Sequence, residues 1–169
     1  MAAIFSEHLG IEFTFVMTHD LIQNIYSVFS KYQLNDKVTA CYCDICMTVE
    51  YSDYLHKMPL NELTADALNV YIACVGIDEG NCNDFKYFLP RILELLYKET
   101  DTADFSDFYI FIWGVLERID YSTWEGDEQM VFINFFEIYW NKVRKPEDPE
   151  LSELTLENIK RIVLKPFAL

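Results

Sequence analysis

Along most of the chain, apolar residues recur at intervals of three and four, the period of an α-helix with one face turned inward. Leu21, Ile22, Ile25, Val28 and Phe29 begin this rhythm behind Thr18 or Asp20 as an N-cap, and it fades near Gln33, before the polar Asn35 and Asp36. A short helix is expected from about Met47 to His56, where Pro59 ends it. Thr64 caps the next, Ala65 to Val75, in which Ala67, Leu68, Tyr71, Ile72 and Val75 form a stripe that Gly76 stops. Beyond a polar loop from Asp78 to Asn83, Phe85, Phe88, Leu89, Ile92, Leu93 and Leu96 repeat the helical spacing. Pro90 lies inside this run and predicts either two pieces or a kink.

Three further helices complete the pattern. From Asp107 to Ile119 the apolar residues Phe108, Ile110, Phe111, Ile112, Trp113, Val115 and Leu116 surround the axis, which predicts a central, buried helix. Thr123 is placed to cap a long helix from Trp124 to Arg144, with acids at its start and Lys142, Arg144 and Lys145 at its end. Pro146 and Pro149 terminate it, and a last helix covers Leu156 to Leu164. Only the start departs from this period. Ile11, Phe13 and Phe15 alternate with Glu12 and Thr14, so residues 1–17 read as an extended arm or short strand. The expectation is an all-α, single-domain bundle of six to seven helices over residues 1–169.

Composition agrees. With 13 Phe, 11 Tyr and 3 Trp the chain has the apolar mass for a packed core, and 5 Gly and 5 Pro are too few for a turn-rich β fold. The charge changes the picture more. A net −15 repels a phosphate backbone and an anionic membrane, so neither nucleic acid nor membrane is an expected partner; a basic protein surface is. No Lys or Arg precedes Lys31 to form a secretory n-region, and the longest apolar stretches fall short of a bilayer span. Five cysteines, three of them within six positions, fit a reducing compartment better than a disulfide scaffold, so a cytoplasmic location is expected.

Those three cysteines, in Cys41-Tyr42-Cys43-Asp44-Ile45-Cys46, are the sharpest local feature. Thiolates at this spacing converge on one cation, which makes Cys41, Cys43 and Cys46 candidate zinc ligands with His56, Cys74 or Cys82 as a fourth. A second closely spaced pair is missing, and buried cysteine also packs as a small hydrophobe. Glu50, Asp53 and His56 share one possible helix face, but no Glu-x-x-His motif of a di-metal bundle occurs. No nucleophile elbow and no glycine-rich phosphate loop is present, so no complete catalytic constellation emerges. Arg91 offers either a guanidinium for a carboxylate ligand or a surface pair with Glu94 at i, i+3.

The pair Cys43 and Cys46, then Met58-Pro59-Leu60, Leu63, Tyr71 and the run Asp84-Phe85-Lys86-Tyr87-Phe88-Leu89-Pro90-Arg91-Ile92-Leu93-Glu94-Leu95, together with the aromatics around Trp124 and Trp140, resemble a family of small bacterial cytosolic proteins to which no activity is assigned. The likeness runs from Val38 to Trp140 and leaves out Cys74 and Cys82. It implies an intracellular bacterial setting and no mechanism.

Charge clustering carries the functional expectation. From Glu99 to Glu128 there are nine acids against one base, Arg118, a net −8 of the total −15. Asp101, Asp104, Asp107, Asp120, Glu125, Asp127 and Glu128 would form an acidic face, and Tyr109, Tyr121 and Trp124, if exposed among them, would supply hot spots. The leading expectation is a non-enzymatic protein-binding module, with an immunity or inhibitor protein for a basic toxin as its concrete form. A zinc-binding domain or metal-dependent enzyme built on the cysteine cluster is the rival, and a structural subunit of a homo-oligomer the third reading.

Overall fold

In the computed structural model, residues 18–36, 38, 48–75, 83–98, 107–143 and 149–163 are described. Among them are seven α-helices and no strand: α1 (Thr18–Phe29), α2 (Val49–Lys57), α3 (Ala65–Cys74), α4 (Asn83–Lys98), α5 (Asp107–Arg118), α6 (Gly126–Val143) and α7 (Pro149–Val163). Short 3₁₀ turns at Leu60–Glu62 and Tyr121–Thr123 precede α3 and α6. The proposed arm, residues 1–17, lies outside the described residues.

Local chemistry sets the boundaries. Thr48 caps α2 by accepting a hydrogen bond from the Tyr51 amide, and Thr64 caps α3 by accepting one from the Ala67 amide. α4 runs unbroken through Pro90, a buried residue whose ring removes one backbone donor to the Lys86 carbonyl. The expected division there does not occur. The apolar residues on both sides of Pro90 belong to one stripe, and burying that stripe whole outweighs the lost bond. Pro149, expected as a terminator, instead opens α7 at the first helical position, where its missing N–H costs nothing.

The main packings close a ring: α1 on α4, α4 on α3, α3 on α5, α5 on α7, α7 on α6, and α6 back on α1. α1 and α4 turn their periodic stripes inward. Leu21, Ile25 and Phe29 of α1 are buried at successive turns, as are Phe85, Phe88, Leu89, Ile92, Leu93 and Leu96 of α4. Both apolar helices contribute to the core: Ile112, Val115 and Leu116 of α5 are buried among its described side chains. Val131, Phe132, Ile133, Phe135, Phe136, Tyr139 and Trp140 of α6 are all buried, whereas Glu117 and Arg118 of α5 are exposed and Trp113 is half-buried.

Aromatic contacts thread the interior. Phe132 meets Trp124, Tyr121 and Phe136 at ring separations of 5.2, 5.2 and 5.1 Å, and Trp113 of α5 crosses to Phe136 and Tyr139 of α6. No helix among the described residues is long and apolar enough to cross a membrane.

Candidate functional site

The described part of the expected acidic face lies at the turn between α5 and α6. Asp120 builds it locally: its carboxylate accepts the Ser122 amide at 3.2 Å and the Ser122 hydroxyl at 2.5 Å, and its carbonyl accepts the Thr123 hydroxyl at 2.9 Å. Gln129 then reaches back from α6 to the Ser122 and Trp124 carbonyls at 3.2 and 2.8 Å. Glu125 occupies the N-cap of α6, and Glu128, three residues on, accepts the Glu125 amide at 3.4 Å in one half of a capping box. The sequence points to Thr123 as this cap; the 3₁₀ turn takes it instead and moves the helix start to Gly126.

Asp120, Glu125 and Asp127 are exposed around this turn. Three others of the predicted face, the aromatics Tyr121 and Trp124 and the acid Glu128, are not, and the side chain of Tyr109 lies outside the described residues. Tyr121 is 1% and Trp124 5% exposed, and Glu128 is fully buried, so none of the three is available to a partner. Trp124 and Tyr121 cover Phe132, and Phe29 of α1 meets the Trp124 ring edge-on at 5.8 Å. The Tyr121 hydroxyl also donates to the Val163 carbonyl at the end of α7. Burial, with Asp120 nearby, pushes the Tyr121 phenol up to about 12. The rings are therefore the foundation of the acidic rim. What the rim offers beside its charge is Met130, 48% exposed and three residues after Asp127 on α6.

Beneath the rim, Glu128 gathers charge from other parts of the fold. Lys86 of α4 donates to its carboxylate at 2.8 Å, Tyr32 at 2.5 Å and Lys31 at 2.9 Å, while Lys31 also reaches Glu125 at 2.6 Å. Lys86 lies 5.0 Å from the centres of both the Tyr32 and Trp124 rings. Burial acts to raise the Glu128 pKa, but the bonds from Lys86, Tyr32 and Lys31 outweigh it and hold the carboxyl below its ordinary value. Burial likewise acts to lower the Lys86 pKa, and Glu128 and Tyr32 together overcome it, holding the ammonium above its usual range.

Arg91 forms the pair with Glu94 at 2.8 Å, but not as a surface pair: both side chains are 12% exposed. Its Nε donates to the Leu63 carbonyl at 2.6 Å, and Glu94 also receives Tyr26 at 2.7 Å and Lys98 at 2.5 Å. Nε and Nη1 of Arg91 are thus engaged within the fold.

Cys41, Cys43, Cys46, Asp101 and Asp104 lie outside the described residues, and Asp107 opens α5. Among the described residues no group of three or more His, Cys, Asp or Glu is arranged to hold a metal. His56 is committed elsewhere: Nδ1 lies 2.8 Å from the Ser52 carbonyl oxygen and Nε2 2.7 Å from that of Asn35, so neither nitrogen turns a lone pair toward a metal. The sequence gives no sign of this cluster, because Lys86 and Tyr32 stand 42 and 96 positions from Glu128, and Lys31 stands 94 from Glu125, so no local spacing links them. Met130 carries one signal, an apolar residue three places after an exposed acid. Comparison of the chain with known protein families, with curated proteins and with solved structures returns no match, so its function is read from its own residues.

Proposed function

We propose that the chain is a non-enzymatic protein-binding module whose acidic rim docks on a basic protein, in the manner of an immunity or inhibitor protein. The observation that carries this reading is the mounting of exposed Asp120, Glu125 and Asp127 on a turn whose aromatic base is buried. A rim fixed in this way loses little freedom when a partner arrives. Its field, within a chain of net −15, steers a basic surface toward it. With Tyr121 and Trp124 inside, charge leads the association and Met130 supplies the adaptable apolar contact.

The test is capture from host extract with the wild-type protein and with a triple variant, Asp120→Asn, Glu125→Gln and Asp127→Asn, which keeps one acceptor oxygen on each side chain and removes three charges. A basic protein is expected on the wild type, weakened about tenfold or more between low and physiological salt and lost on the variant. An empty wild-type capture at both salts, or equal capture by the variant, overturns the reading.

A further inference from the structure

We propose that His56 is a pH-operated latch on the connector that joins α1 to α2. Both of its ring nitrogens lie within hydrogen-bond distance of backbone carbonyl oxygens, Ser52 on its own helix at 2.8 Å and Asn35 on the connector at 2.7 Å. A carbonyl oxygen only accepts. A neutral imidazole carries one N–H, so it satisfies one of these contacts and sets lone pair against lone pair at the other; the imidazolium, with two N–H groups, satisfies both.

Among the described residues the connector has further attachments. The Asn35 amide and side chain donate to the buried Asp84 carboxylate at 2.9 and 3.0 Å, and the Val38 amide donates to the Ser52 hydroxyl at 3.4 Å. Among the described residues, Asp84 of α4 and Asp53 of α2 are the acids that act on the His56 ring, and Asp53 in turn holds Lys57 at 3.9 Å. The Ser52 carbonyl, then the Asn35 carbonyl, then these acids raise the His56 pKa above its ordinary value against a smaller opposing effect of desolvation. The latch is therefore closed below about pH 6.5 and opens as pH rises through the raised value.

Proton NMR titration of the three histidines, with His56→Gln to assign the resonance, reads the site directly. Amide hydrogen exchange of Asn35 and Val38, corrected for the intrinsic pH dependence, reads the connector. The expected result is a His56 midpoint above about 6.5, with protection of both amides falling about tenfold as pH rises across it. In His56→Gln, protection should stay at its lower level at every pH. A His56 midpoint at or below the ordinary value overturns the proposal, as does wild-type protection that ignores the titration. The wild-type measurement stands alone if the variant does not fold.

Discussion

Glu128 shows how much one side chain can hold. It is fully buried and takes bonds from Lys86 and Tyr32, which come from different parts of the chain, while Lys31 reaches it from the solvent side. A buried ion pair adds little over a hydrophobic pair of the same shape, but removing one member strands the other. Glu128→Ala leaves the Lys86 ammonium, 11% exposed, without its counter-charge, and chemical denaturation should show a loss of about 3–5 kcal/mol. Lys31→Ala removes a donor that is 38% exposed and meets the same carboxylate from outside, so its midpoint should stay close to wild type. Equal losses in the two variants would contradict this division. The sequence displays Glu128 as one acid among many; only the fold shows that it faces inward.

Helices are the most legible scale. Thr64 announces α3 because a hydroxyl before an apolar stripe has one obvious use, and the structure places its oxygen 3.1 Å from the Ala67 amide. Thr64→Ala should cost about 1 kcal/mol in thermal or chemical unfolding with the helix otherwise intact, and a neutral result would show the cap to be idle. Prolines are less legible, since the same missing N–H ends one helix and begins another. Pro149 begins one, and Pro90 does neither because tertiary burial on both sides of it decides the matter. The acidic rim is legible as charge, but not the direction of its aromatics. Tyr121 and Trp124 look outward in the sequence only because acids flank them, and the 3₁₀ turn that Asp120 caps turns them in.

For the molecule as a whole, the perturbed acids and His56 define a pH window. Burial acts to raise Glu94 and Glu128, but both have lowered folded values. Bonds from Lys98, Tyr26 and Arg91 to the first, and from Lys86, Tyr32 and Lys31 to the second, overcome it. Their stabilisation is complete above about pH 4.5 and lost as pH falls through the lowered values; that of His56 is complete below about 6.5 and lost as pH rises. The melting temperature should therefore peak between these limits, where self-repulsion from the net −15 is also eased, and a flat profile from pH 6 to 8.5 would contradict it. The ring of helices has a further consequence, for the order in which the chain is made. Tyr32 and its acceptor Glu128 are 96 positions apart, and α1 packs on α6, far along the chain from it. At roughly 5–20 residues per second of synthesis, the apolar face of α1 waits about 5–20 s for its cover to be translated. Leu21, Ile25 and Phe29, silent in the finished fold, are thus residues a nascent-chain chaperone would meet during that interval.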